Sequence, residues 1–187
     1  DGGESSLVDG SRRKKSDARF DVVGVCDEVN SWLGMILAEL GRLPDHEDGG
    51  ERTNVQRVQT VLNEALVRVQ NELFDVGAEL ACPPATLPEY MVLISQAQTD
   101  VLMEEMDAWL ATLPDLTSFI LPAGSPTVAT MHVARTVVRR LERSIVNLVE
   151  TEGEGAVRPL VMVYVNRLSD WFFVMGRWTS TMLNEEE

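Results

Sequence analysis

The sequence predicts an all-α protein, an up-and-down five-helix bundle preceded by an extended N-terminal arm. Three observations predict it. Apolar residues recur at spacings of three and four in successive segments, the period of one helix face. Prolines and glycines punctuate the gaps between those segments, where a helix cannot easily continue. No strand-like alternation, internal repeat or low-complexity block appears. The 187 residues suit a single domain, with residues 1–16 as the arm and 17–187 as the bundle.

The arm, DGGESS and onward to Ser16, is small, polar and glycine-containing, and reads as extended and mobile. From about residue 17 to 40 the stripe Val22, Val25, Val29, Trp32, Leu33, Ile36, Leu40 predicts the first helix, which Gly41 stops. GRLPDHEDGGER (41–52) is a surface loop by composition. The second helix, 53–80, has the clearest stripe: Val55, Val58, Leu62, Leu66, Val69, Leu73, Val76 and Leu80. Pro83-Pro84 lies beyond its end. A third helix is expected over about 95–113, with Val101, Leu102, Met106, Trp109, Leu110 and Leu113 on its apolar side and Pro114 closing it. The last helix, about 156–183, is apolar nearly all round and should be the most buried. Within it VMVYV could pass for a strand, but the length favours a helix. Asn166, Asp170 and Arg177 share one face of it; they either satisfy one another in the core or line a cavity.

The fourth helix belongs to the most informative stretch, Ser118 to Arg143. Phe119-Ile120-Leu121 is halted by Pro122, and a turn leads to Ser125 and Pro126. These residue types suit the N-cap and the first helical position. At about 100° per residue, Arg135, Arg139, Glu142 and Arg143 fall within a quarter to a third of the helix circumference. Met131, Ala134, Val138, Leu141, Ile145 and Leu148 form the neighbouring apolar stripe. Arginine forks match phosphate oxygens two at a time. The cluster is therefore either a polyphosphate site or a solvated face held by Arg–Glu pairs.

Charge sharpens the choice. The formal net charge is −14, and Lys14 and Lys15 are the only lysines. Such acidity argues against general binding to nucleic acid or an anionic membrane. No Lys or Arg occurs from Val69 to Ala134, and then four arginines fall within nine residues. Cys26 and Cys82 form no ligand pattern and read as buried free thiols in a reducing compartment. His46 and His132 are far apart, so no zinc site is legible. No signal peptide is visible. The most apolar stretch, 160–178, is interrupted by Asn166, Arg167, Asp170 and Arg177, which excludes a membrane span. No P-loop, Rossmann glycine motif or nucleophile–base pair is present.

Several motifs together resemble one family. FILPAGSPTVATMHVARTVVRRLER (119–143) and NRLSDWFF (166–173) are similar to signatures of the ATP:cob(I)alamin adenosyltransferases of the trimeric five-helix-bundle class. GVCDEVNSWLG (24–34) and ELFDVGAELACP (72–83) resemble parts of its first two helices. DGGESSL and the basic segment ending at Lys15 resemble its N-terminal nucleotide loop. That loop opens, in the family, with a Thr-x-Thr-Gly segment just before the position of Asp1.

The resemblance implies a homotrimer with active sites between subunits. It implies transfer of the 5′-deoxyadenosyl group of ATP to the cobalt of cob(I)alamin, giving adenosylcobalamin and triphosphate. Cobalt(I) is itself the nucleophile, so no catalytic base is needed. Asp1, Gly3, Ser5 and Ser6 would wrap ATP. Lys15 would face phosphate, with Lys14 beside it as the competing choice. Arg139, Arg140, Glu142, Arg143 and Asn166 would bind the nucleotide. Arg135 would pair with Asp27 across the subunit interface. Phe119 would displace the lower axial ligand of cob(II)alamin and ease its reduction. Mg²⁺ would sit on the ATP phosphates with no protein side-chain ligand. The further expectations are a cobalamin reductase and an adenosylcobalamin-dependent mutase as partners, and a cytoplasmic location, or the mitochondrial matrix in a eukaryote. The other readings are a non-catalytic cobalamin carrier, a nucleotide-sensing bundle, and a purely structural bundle.

Overall fold

The computed structural model describes residues 2–44 and 53–185. Asp1, His46 and most of the 41–52 loop lie outside the described residues. The order is β1 (Glu4–Ser6), β2 (Arg12–Lys14), α1 (Ala18–Leu40), α2 (Asn54–Leu80), a 3-10 turn (Pro84–Thr86), α3 (Gln96–Leu110), α4 (Pro126–Glu152) and α5 (Pro159–Met182). The five helices form the expected all-α bundle. α1 packs on α2 and α4, and α5 packs on α4 and α3.

Local chemistry sets the helix starts. The Asp17 side chain accepts from the Arg19 N–H, and Thr53 accepts from Gln56. Ser95 and Gln98 form a capping box at α3. Ser125 accepts from the Val128 N–H, with Pro126 at the first position of α4. Each cap satisfies an orphan N–H of its first turn. α4 stops at Gly153, whose φ of 100° is open to glycine.

Two helix ends differ from the periodicity. α3 finishes at Leu110 rather than near 113, although Leu113 still packs against the core. α5 begins at Pro159, after an extended Arg158. The residue before proline is driven out of the helical region, so Ala156 and Val157 are buried in the connecting turn instead.

α5 is the most buried helix, as expected. Trp171 and Phe172 are wholly buried. Trp171 lies 5.6 Å from Trp109 of α3 and 5.1 Å from Phe172, and Trp109 stacks on Trp178 at 5.7 Å. A polar chain crosses this core. The Tyr164 hydroxyl donates to Glu72 at 2.7 Å, Arg68 bridges Glu72 and Glu105, and the Trp171 indole N–H donates to Glu105 at 2.7 Å. Burial pushes the Tyr164 hydroxyl well above its usual range, and the Glu72 charge adds to the effect. The phenol is therefore held as a neutral donor. Both cysteines are buried and unbridged. Burial, with Asp27 nearby, pushes the Cys26 thiol up to about 12, which makes it unreactive.

The arm corrects the expectation of an extended mobile segment. β1 and β2 pair antiparallel, with Ser5 opposite Arg13. Leu7 is buried, and the Lys15 N–H donates to the Gly3 carbonyl at 2.8 Å. Asp9 accepts from both the N–H and the hydroxyl of Ser11 in the turn. The hairpin is joined to the bundle by Arg13, which pairs with Glu152 at the end of α4 and with Asp17. Glu152 also pairs with Arg19 of α1, which is wholly buried.

Burial raises the Glu152 pKa, but the hydrogen bonds and charges of Arg19 and Arg13 outweigh it and leave the carboxyl below its ordinary 4.5. A carboxylate with a depressed folded-state pKa stabilises the fold above its unfolded value and loses that contribution as pH falls through the folded one. Glu152→Gln is therefore expected to melt below the wild type at neutral pH, with the gap narrowing as pH drops below 4.5. Thermal melts across that range check it; a gap that does not change with pH contradicts the assignment.

Candidate active site

The arginine helix α4 is flanked by α1 on one side and α5 on the other, and its cations divide between them. Arg140 turns towards α1, where it pairs with Glu28. Both residues line an open cleft of about 570 Å³ with Lys15, Asp21, Gly24 and Asn147. Of the two neighbouring lysines, Lys15 lines this cleft; Lys14 belongs to β2.

Towards α5, the Asn166 amide donates to Glu142 at 2.8 Å. Arg143 donates to the Arg139 carbonyl at 3.1 Å. Arg139 and Arg143 are exposed, and neither has a carboxylate within ion-pair distance among the described residues. Gly3, Ser5 and Ser6 lie on or beside β1.

Arg135 occupies a different environment. It is half-buried, its guanidinium lies 6.0 Å from the Phe173 ring centre, and its buried Nε has no hydrogen-bond partner among the described residues. Burial lowers its pKa, and the neighbouring Arg139 charge adds to this. A half-buried guanidinium in that condition favours an anionic partner. Asp27 does not supply it within the chain. Asp27 is exposed on α1 and lines a separate cleft of about 480 Å³ with Phe20, Asn30 and Phe74.

Phe119 is wholly exposed. It lines a hollow of about 260 Å³ with Leu116, Ile120, His132, Arg135 and Phe173, so the structure brings Phe119 and Arg135 to one place. Its loop is held at both ends by the C-terminal part of the chain. Arg177 donates to the Pro114 carbonyl at 3.0 Å, and Glu185 accepts from the Ser125 N–H at 2.8 Å.

Asn166, Asp170 and Arg177 neither satisfy one another nor line one cavity as a set. Asn166 binds Glu142, Asp170 pairs with Arg167, and Arg177 is buried under the Phe119 loop. One helix face runs under different neighbours along its length, so shared angle does not give shared partners.

Sequence reasoning gave no role to Glu28, Asn147 or His132. His132 is buried and lines the Phe119 hollow. The signal was its place three residues before Arg135, which puts both on one face. No group of three or more His, Cys, Asp or Glu among the described residues is placed to hold a metal ion. No helix among them is long and apolar enough to cross a membrane.

Fold and site together define a helical-bundle protein with a charged cleft between α1 and α4 and, elsewhere on α4, an apolar hollow with an exposed phenyl ring beside Arg135. The chain belongs to the cobalamin adenosyltransferase family, whose model matches residues 1–179. It is 43% identical over 178 residues to a corrinoid adenosyltransferase from Mycobacterium tuberculosis, covering 95% of this chain and 83% of that one. It is 37% identical over 177 residues to one from Bacillus subtilis, at 95% and 81% coverage. Among solved structures, it is similar to a variant PduO-type ATP:corrinoid adenosyltransferase from Lactobacillus reuteri complexed with cobalamin and ATP. The TM-score there is 0.82 at 30% identity, over 97% of this chain and 88% of that one.

Proposed function

We propose that the chain transfers the 5′-deoxyadenosyl group of ATP to the cobalt of cob(I)alamin. The C5′–O bond of ATP breaks, a cobalt–carbon bond forms, and the electron pair of the broken bond leaves with triphosphate. The protein's part is to position C5′ and to neutralise the leaving group's charge. The observation that carries this reading is the hollow that joins exposed Phe119 to Arg135, on the helix that also presents exposed Arg139 and Arg143, neither with a carboxylate partner among the described residues.

Arg139 and Arg143 clamp the triphosphate, and Lys15 with Arg140 neutralises it from the α1 side. Glu142, held by Asn166, orients the nucleoside. Gly3, Ser5 and Ser6 offer backbone and hydroxyl donors to phosphate, and Asp1 extends that loop. Mg²⁺ rides on the phosphate oxygens. Phe119 presses on the lower face of the corrin and displaces the axial ligand, which lowers the orbital that accepts an electron in cob(II)alamin.

Arg135 and Asp27 occupy separate clefts of one chain. They pair between neighbouring subunits of a homotrimer, where the lone guanidinium gains its anion. The whole chain acts as one adenosyltransferase domain, with a cobalamin reductase upstream and an adenosylcobalamin-dependent mutase downstream. The cytoplasm, or the mitochondrial matrix in a eukaryote, provides the reducing conditions for this chemistry.

The test is direct. Cobalamin is reduced anaerobically, protein and Mg-ATP are added, and the visible spectrum is followed while triphosphate is assayed. The expected result is conversion to a light-sensitive alkylcobalamin with one triphosphate per turnover. Binding without conversion would leave a carrier or nucleotide sensor, and no binding of either ligand would leave a structural bundle.

A further inference from the structure

We propose that Glu152 and Arg13 position the N-terminal hairpin for nucleotide, by locking its second strand to the same helix that carries the arginines. The proposal rests on the reading that this hairpin meets ATP, and goes beyond it by naming what holds the hairpin before ATP arrives.

The lock is built from the inside outward. Arg19 has no exposed surface. Its guanidinium donates to the Leu80 carbonyl at 2.9 Å, to the Ala156 carbonyl at 3.2 Å, and to Glu152. Two of these acceptors are backbone, so Arg19 is fixed by the bundle itself. Glu152 gives one carboxylate oxygen to Arg19 and the other to Arg13. A carboxylate oriented by a rigid buried guanidinium presents its second oxygen in a fixed direction. That direction meets the middle of β2, where Arg13 stands opposite Ser5.

The consequence is geometric. Glu152 ends α4, and Arg140 lies on the same helix. Lys15 follows two residues after Arg13 and faces Arg140 across one cleft. The lock therefore fixes the distance between two cations contributed by separate parts of the chain. The hairpin's other attachments include the buried Leu7, the contact of Asp9 with Thr86, and the 3.4 Å pair of Arg13 with Asp17. Leu7 secures the hairpin's presence, but an apolar contact is non-directional and leaves its register against α4 loose. An arm that is docked only part of the time binds ligand with an affinity reduced by the docked fraction.

Removing Glu152 would strand the buried Arg19 charge and endanger the fold, so the test uses Arg13→Gln in the full chain. The Arg19–Glu152 pair is then intact and the melting temperature falls only slightly, as for the loss of a partly exposed ion pair. The KM for ATP is expected to rise about 5- to 20-fold, with kcat at saturating ATP and the KM for cob(I)alamin unchanged. Backbone amides of residues 4–14 should lose hydrogen-exchange protection in the absence of ATP and regain it with ATP bound. Arg13→Lys, which keeps the charge, should recover a good part of the affinity. A wild-type KM for ATP in Arg13→Gln overturns the proposal, as does unchanged protection of the hairpin. If the wild type itself fails to convert cob(I)alamin, the adenosyltransferase reading falls, and the lock is judged by hairpin exchange and by calorimetric ATP affinity alone.

Discussion

Arg139→Ala is expected to lower kcat/KM for ATP by roughly 10²- to 10³-fold, about 3–4 kcal/mol of transition-state stabilisation. Arg139 is exposed and without a carboxylate partner among the described residues, so its side chain does little for the fold. An exposed residue away from structural contacts changes stability by about 0.5 kcal/mol or less, and the melting temperature should barely move. The charge it meets grows on the leaving triphosphate as the C5′–O bond breaks, so the loss should fall on turnover as well as on binding. Steady-state kinetics beside a thermal melt decides it. A variant with full activity would show that the clamp lies elsewhere, on Lys15 and Arg140.

Phe119→Ala is expected to separate two starting points. Turnover that begins from cob(II)alamin, with a one-electron reductant supplied in the assay, should slow by roughly 10²-fold, about 2.7 kcal/mol. Turnover from cob(I)alamin reduced beforehand should change by less than about tenfold, because the ring's task of displacing the axial ligand is then already accomplished. Phe119 is wholly exposed, so its removal opens no cavity in the bundle. Absorbance of the corrin, followed from each oxidation state with the same enzyme stock, gives both rates. Equal losses in the two assays would contradict the axial-ligand role.

The helices were legible because burial leaves a periodic mark. Val58, Leu62, Leu66, Val69 and Leu73 are all buried on one side of α2, and their spacing announced it. Ser125 and Pro126 announced the start of α4 in the same way, by the chemistry of a cap. The hairpin left no such mark. Each strand has three residues, too few to display alternation, and Leu7 is its single buried apolar residue.

Candidate site residues could be named from the sequence, but not how packing groups them. Periodicity gives the angle of Arg140 around α4, but not that α1 and its Glu28 stand at that angle. It puts Arg135 beside Arg139, yet only packing against Phe173 half-buries the one and leaves the other exposed. Asn166, Asp170 and Arg177 share a face and still meet different partners. His132 was weighed as a metal ligand, and the question that mattered was which hollow it lined.

The stacked indoles of α3 and α5 have an optical consequence. Trp109 lies within 5.7 Å of both Trp171 and Trp178, close enough for excitation to pass among the three. Trp32 stands apart from that trio, on α1. Three of the four tryptophans thus sit at the contact of α3 with α5, and the change in their emission on heating reports the parting of those helices. Exchange at the hairpin amides reports the arm. Two signals from one sample can then tell whether the nucleotide arm and the tryptophan-bearing helices come apart together or in turn.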